Sequence, residues 1–497
     1  MRQRFEQQTT LGITPIAEVK FRERSRDELP PVLKALQYVF VTPELNEAIF
    51  TLLENKISRH KKKTGRKGMD LWHILVLAVV RHTLSADWDR LHDLANEHQS
   101  LRKILGVYVE KFGIEEIEFA HRNIVDNVAL IDEHLLSDIN LLVVQHGQYL
   151  LKKKEDESLR LKTDSYALET NIHFPTDLNL LWDSLRKGLD IVNKLRSQSN
   201  LKGWRKVMDL RKKAKSLFRK ASQQVFRGGG RNEKQKKESV QAYLRIAHDL
   251  QERFAGIISG PPAGNNAQKV MVLLAALSHY NEYVRKFTNQ IERRLLDGEQ
   301  IPASEKVFSI FEEHTEWISK GKLNKRVELG HLLCITTDQY QFIADYKIME
   351  NEKDAPQIKS LTERLQKNYL NRKIHSHSFD KGFYSKDNYN TLKEANVENI
   401  VLPKKGKLNK EEKQREANKT FKTLRNAHSA VESNINMLEH HGLNRCADKG
   451  IEGYRRYVGL SVLAYNMHIL GNHLVAVERK KEEQRQKQRD RYHCKAA

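Results

Sequence analysis

The clearest two-residue alternation in the chain begins at Leu159. Leu159, Leu161 and Thr163 alternate with Arg160, Lys162 and Asp164, the period of a half-buried strand. Asp164 falls on the face opposite the two leucines, at the end of this run. Asn171, His173, Pro175 and Asp177 then break the pattern into a loop, and Asp177, after a Pro-Thr pair, reads as a helix N-cap.

Upstream, apolar residues recur three and four apart. From Thr42 as N-cap a helix is predicted through Leu45, Ile49, Leu52 and Leu53. Further helices are expected over residues 69–81, from a cap at Ser85 through Trp88, Leu91 and Leu94, from a cap at Ser100 to near Gly106, and over 119–144. Residues 1–40 read as an arm with one short helix. After Pro175 the pattern stays helical for more than a hundred residues, about 178–225, 233–258 and 267–296, broken by glycine and proline at 228–230 and 260–264.

Strand grammar returns after residue 306. Two runs, 327–336 and 341–348, are separated by a hairpin-like gap at 337–340. Pro356 opens a helix, and 374–379 is a short strand that delivers Asp380. Ser385 caps a helix to about 395, and 398–402 is a strand stopped by Pro403. A lysine-rich linker covers 404–420. A helix over 421–441 carries Glu432, another runs over 454–477, and the rest is a basic tail expected to be disordered. Without the long helical segment the order is strand, hairpin, helix, strand, helix, strand, helix. That order suits an α/β core, a mixed sheet with helices on its faces. The expected division is an all-helical N-terminal domain over 1–157, the core over 158–177 and 300–478, a helical insertion over 178–299, and the tail 479–497.

Length permits this: 497 residues suffice for about three domains at roughly 150 each. Charge narrows the function. Lys and Arg number 86 against 64 Asp and Glu, a net +22, which favours a polyanionic partner. A membrane is disfavoured, since the longest apolar run, 74–80, is far short of the ~20 residues a span needs, and no N-terminal segment resembles a secretory signal. Cys334, Cys446 and Cys494 are too scattered for a disulfide framework or a zinc motif and fit a reducing cytoplasm. Two basic stretches are candidate phosphate contacts: the loop with Lys61, Lys62, Lys63, Arg66 and Lys67, and the helix with Arg205 and Lys212. Each has a plainer reading as a solvated surface. The short helices beside that loop fit either a helix-turn-helix-like DNA reader or a dimerisation bundle.

In a mixed sheet, carboxylates at two strand ends and one on a flanking helix can converge. Asp164, Asp380 and Glu432 are the candidates, and three hard oxygen donors without cysteine suit Mg²⁺ or Mn²⁺. Two such ions roughly 4 Å apart activate a water or a 3′-hydroxyl at a phosphodiester. Other acids have other readings. Asp338 is a turn residue, Asp345 lies beside the hairpin, and Glu439, nearly two turns from Glu432, is an alternative third acid. His375 and His377 on one strand read as structural rather than as zinc ligands. Lys320 and Lys322 flank a glycine that suits a phosphate contact or a solvated turn.

Three local motifs carry a family resemblance. Thr163-Asp164-Ser165 followed by Asn171 and Pro175-Thr176-Asp177 is the first, and Phe379-Asp380-Lys381-Gly382-Phe383-Tyr384-Ser385 is the second. The third is Val431-Glu432, then Gly442-Leu443, Arg445 and Gly450. In this order and spacing they resemble the DDE-type transposases of bacterial insertion sequences. The resemblance implies an RNase H-like core and a DNA transposase. Such a protein binds double-stranded DNA at its element's ends, cuts there and joins the 3′-hydroxyl to target DNA. Asp164, Asp380 and Glu432 would hold two Mg²⁺ ions, with Lys381 beside them. The work would be done by a homodimer or larger assembly in the cytoplasm, on the nucleoid. Many relatives carry Tyr, Arg and Lys around the catalytic Glu, and the matching positions here hold Arg425, His428 and Glu439. Glu439 does not replace a lysine, which leaves Lys422 and Arg445 as substitutes. Two other readings keep part of this: an RNase H-like nuclease that never joins strands, and a non-catalytic helical DNA-binding protein.

Overall fold

The computed structural model describes residues 2–7, 13–22, 26–58, 68–108, 117–153, 157–199, 201–226, 233–260, 267–319, 327–370 and 372–496, with side chains as far as residue 489. They form two compact units. One comprises Met1–Asn171 and Ile318–Ala497, the other Ile172–Trp317.

The first unit begins with seven helices: α1 (Leu29–Val41), α2 (Pro43–Ile57), α3 (Leu71–Thr83), α4 (Trp88–Glu97), α5 (Gln99–Ile104), α6 (His121–Val128) and α7 (Glu133–Leu151). Several limits differ from those read in the sequence. Ser85 does not cap α4. It takes a left-handed φ of 46°, and Asp87 caps the helix by accepting from the Arg90 N–H. His98, not Ser100, caps α5. The helix expected over 119–144 is two helices, because Asp132 starts a new one by accepting from the Leu135 N–H.

The strand that follows, β1 (Leu159–Thr170), is longer than expected. Asp164 is not at its end. Past Ser165 the buried positions shift by one, to Tyr166, Leu168 and Thr170, and β1 pairs antiparallel with β3 (Glu328–Thr337) as far as Glu169 opposite Gly330. The fit there is backbone on backbone. A Cβ on Gly330 would meet the Leu168 carbonyl oxygen at 1.9 Å.

The second unit holds α8 (Asp177–Gln198), α9 (Val207–Phe226), α10 (Glu233–Ser259) and α11 (Ala267–Ile291) around Leu185, Leu189, Val192, Tyr243, Phe254, Leu277 and Phe287. Thr176 rather than Asp177 caps α8, and Asp177 is its first residue. The helix expected over 178–225 is broken. Ser199 is extended at φ −154°, Gly203 has φ +82°, and Trp204 turns inward to stack on Phe254.

β2 (Glu316–Ile318) falls at the end of the second unit, and the rest of the first unit supplies β3, β4 (Ile343–Met349), α12 (Gln357–Asn368), β5 (Ile374–Phe379), α13 (Lys386–Glu394), β6 (Asn399–Val401), α14 (Lys410–Ala417), α15 (Lys419–Ala427), α16 (Ala430–Leu438), β7 (Arg445–Cys446) and α17 (Gly450–Ala496). Within the first unit the sheet order is β3-β1-β5-β6, with β4 on β3 and β7 on β1. β3 and β4 are antiparallel, whereas β1, β5 and β6 run parallel. This is a mixed sheet with helices, consistent with an RNase H-like domain. The linker expected over 404–420 contains α14, held by a capping box between Asn409 and Glu412. The helix expected over 421–441 is α15, α16 and a π turn over Glu439–Leu443 that ends with Gly442 at φ +95°.

Residues 479–496, expected as a disordered tail, continue α17. By length and composition α17 is apolar enough to cross a membrane, which no run of consecutive apolar residues foretold. Its burial has another cause. Val458, Leu460, Leu463, Tyr465 and Leu470 pack into the core with α1, α3 and α7. Asn466 satisfies the edge of β4, accepting from the Ile343 N–H at 2.9 Å and donating to its carbonyl at 3.1 Å. The Tyr454 hydroxyl donates to the Leu168 carbonyl at 2.8 Å, anchoring β1 to the same helix.

Candidate active site

One edge of β1 is shared by two short strands. β5 pairs along it in parallel up to Thr163 opposite Phe379, and β7 pairs farther on, at Glu169 opposite Arg445. Among the described residues no third strand lies between them on that edge. Asp164 and Asp380 are each the first residue past the last β1–β5 pair. The register therefore sets them at matching positions, on neighbouring strands about 4.8 Å apart and on one face. This replaces the expected strand end: Asp164 stands where its neighbour ends.

The two carboxylates differ in their surroundings. Asp164 is half-buried, and its Oδ1 accepts from the N–H of Ser165 at 2.7 Å. Asp380 is exposed. It occupies the N-cap position of a 3-10 turn over Lys381–Phe383, but its side chain makes no capping bond there. Lys381 beside it is exposed too.

The opposite face carries a packed polar layer. Thr163 Oγ1 lies 2.7 Å from Thr336 Oγ1 and 2.7 Å from His377 Nε2. Burial pushes the His377 imidazolium down to about 3, so the ring is neutral. His375 instead pairs with Glu398 at 2.7 Å. The two histidines take separate partners, as structural residues do.

α16 packs against β1 and carries Glu432, exposed, in its first turn, while Val431, Asn434 and Leu438 point inward. One turn earlier is His428. Its Nδ1 lies 2.9 Å from the Ser378 hydroxyl, and its Nε2 is buried without a hydrogen-bond partner among the described residues. Burial lowers its basicity, Asp380 opposes that, and Lys162 reinforces it. His428 thus borders the same face as Asp380. Glu439, exposed in the π turn, acts on Tyr166, whose phenol is raised by burial first and by this carboxylate second. Glu439 therefore faces the strand two residues past Asp164. Among the described residues no three His, Cys, Asp or Glu side chains are gathered closely enough to hold a metal ion. The register draws Asp164 and Asp380 together, and Glu432 stands on the helix beside them.

The remaining acids have structural partners. Asp338 is buried in the turn, accepts from the Tyr340 and Phe342 N–H groups and the Gln148 amide, and burial raises it to about 6. Asp345 is buried in a two-bond pair with Arg364 at 2.6 and 2.9 Å. Of the basic candidates, Arg205 and Lys212 are exposed on or beside α9, and Lys422 is exposed on α15. Arg425 lies 4.0 Å from Glu416, and Arg445 on β7 lies 3.5 Å from Glu169. Lys61, Lys62, Lys63, Arg66 and Lys67, with Lys320 and Lys322, lie outside the described residues.

One acid beside β1 escaped the sequence reading. Asp354, between β4 and α12, accepts from the Ser165 hydroxyl at 2.6 Å. Its segment, Glu-Asn-Glu-Lys-Asp, reads as a solvated turn. Nothing local in that stretch points to Ser165 or to Gly382.

Residues 288–467 match the family model of the transposase DDE domain. That span contains Asp380 and Glu432 but begins after Asp164. No curated protein and no solved structure matches the chain.

Proposed function

We propose that this chain, a DDE-type transposase by the domain it carries, binds the ends of a mobile element, cuts a strand at each and transfers the 3′-hydroxyl to target DNA. The observation that carries the reading is the register match of Asp164 and Asp380 on parallel strands, beside a helix that bears Glu432. The net charge of +22 suits the polyanion such a protein acts on.

The DDE transposase family generally depends on a divalent metal. Asp164, Asp380 and Glu432 would hold it, and their oxygen-only chemistry fits Mg²⁺ or Mn²⁺. Bound there, the ions supply a polarised water or 3′-hydroxyl and offset charge on the phosphate. The chain's own residues do the rest. The Ser165 N–H orients the Asp164 carboxylate. Lys381, exposed beside Asp380, meets the phosphate backbone, and Lys422, Arg425 and Arg445 extend that contact. Arg205 and Lys212, with the basic loop at residues 61–67, bind DNA away from the reacting phosphate. Joining needs two ends held together, so the working form is a dimer or larger assembly. The setting is the cytoplasm, on the nucleoid.

The test is Mg²⁺-dependent cleavage and joining of duplex DNA taken from the borders of the element that encodes the chain, with wild type beside Asp380→Asn. The reading stands if wild type nicks and joins while the variant binds DNA but does neither. Nicking without joining would make the protein a nuclease. Binding without cutting would make it a DNA-binding protein with structural acids. Equal activity in the variant would remove Asp380 from the site.

A further inference from the structure

The last hydrogen-bonded pair between β1 and β5 is Thr163 with Phe379. Asp164 and Asp380 follow directly. The carboxylate of Asp354 reaches both chain segments just past that pair. Its Oδ1 accepts from the hydroxyl of Ser165, the residue after Asp164, at 2.6 Å. Its Oδ2 lies 2.6 Å from where a Cβ on Gly382, two residues after Asp380, would stand, so the carboxylate sits close against that glycine. The segment behind it is tied down as well. Asn388 Nδ2 donates to the carbonyls of Ala355 at 2.8 Å and of Phe383 at 2.7 Å, which joins the Asp354 loop to the turn after Asp380.

We propose that Asp354 is a positioning residue: it clamps the β1 and β5 exits past the end of their ladder, and so sets the spacing at which Asp164 and Asp380 meet a divalent cation. The inference rests on the reading of that pair as the metal-holding acids. Asp354 approaches from the Ser165 side of β1, and successive strand residues point to opposite faces. It therefore acts through the backbone rather than as a ligand. Partners of this kind orient first ligands, and their loss typically costs about 10- to 100-fold in metal affinity.

The experiment is calorimetric titration of the full chain, without DNA, with Mn²⁺. Wild type is compared with Asp354→Ala, Ser165→Ala, the double variant, Ser165→Thr and Asp380→Asn. Melting curves and DNA affinity are measured on each. The clamp predicts that both alanine variants bind Mn²⁺ about 10- to 100-fold more weakly. The double variant is no weaker than Asp354→Ala, Ser165→Thr keeps the wild-type affinity, and DNA affinity is unchanged. Should Asp354→Ala fail to fold, Ser165→Ala alone decides. The clamp is overturned if the alanine variants bind Mn²⁺ like wild type while Asp380→Asn does not. If Asp380→Asn also binds like wild type, the metal reading of the aspartate pair has failed, and the clamp falls with it.

Discussion

Asp164 and Asp380 stand side by side because β5 runs parallel to β1 in a register that sets Thr163 opposite Phe379, one residue before each of them. Neither lies at a loop tip. Both leave the same rung of one sheet, which restricts their freedom as a shared site requires. If they hold one cation cluster, Asp164→Asn and Asp380→Asn should each cost about 4 kcal/mol of barrier, roughly a thousand-fold in strand cleavage. The double variant should be little worse than either, since groups acting as a unit are not additive. Cleavage rates at saturating DNA measure this, and two independent thousand-fold losses would show separate roles.

The third acid is decided by a comparison. Glu432 lies on α16, and Glu439 lies in the π turn near Tyr166. Glu432→Gln should fall as far as the aspartate variants, while Glu439→Gln should keep cleavage within about ten-fold of wild type, under ~1.4 kcal/mol. The reverse pattern would move the third ligand to the π turn.

Gly471 tests the packing of α17 on α1. A Cβ there would meet the Pro31 carbonyl oxygen at 1.9 Å, a backbone atom that cannot swing aside. In an exposed helix, glycine to alanine gains up to about 1 kcal/mol. Here the sign should invert. Gly471→Ala should lose about 1–3 kcal/mol, and thermal unfolding should shift down by several degrees. A rise in melting temperature would mean that the two helices do not touch at that point.

Much of the core was legible because its signals are local. The alternation from Leu159 gave β1, the gap at 337–340 gave the β3–β4 hairpin, and Ser385 caps α13 as read, accepting from Asn388. What was misjudged depends on partners far along the chain. The strand continues past Asp164 because Gly330 and Arg445 pair with Glu169, and nothing near residue 164 announces either. Asp354 looked like one more polar residue in a solvated turn, since only the folded chain brings it to Ser165. α17 lacks a long unbroken apolar run because Ser461 and Asn466 interrupt it, yet both are buried, and Asn466 serves the β4 edge.

Acid should unfold the first unit through buried histidines. His441 Nε2 lies 3.1 Å from His468 Nδ1, and His82 Nδ1 lies 2.8 Å from the Ser461 hydroxyl. Burial lowers all three, His441 to about 4. Each therefore stays neutral in the fold at pH values where the unfolded chain, near 6.5, takes up a proton. Their stabilisation is complete above about pH 6.5 and is lost as pH falls toward 4. Asp338, raised to about 6, works the other way, holding a proton in the fold between about 6 and 3.8 that the unfolded chain releases. The melting temperature should drop over pH 6.5 to 4, less steeply in His441→Gln and more steeply in Asp338→Asn. A flat profile in wild type would mean that the histidines are hydrated.

The basic surface of the second unit gives a prediction in salt. Arg205 and Lys212 are exposed, whereas Arg211 is held by Asp190 at 2.7 Å. A cation that neutralises a phosphate releases condensed counterions, and each such contact adds about 0.9 to the slope of log affinity against log salt. Arg205→Ala and Lys212→Ala should therefore each flatten that slope by about 0.9 and weaken binding evenly across DNA sequences. Arg211→Ala should change it less, because its charge is already partly answered within the fold. Fluorescence anisotropy on two unrelated duplexes over a range of salt concentrations measures both effects. Unchanged slopes in all three variants would make this surface a solvated one and leave DNA binding to the first unit.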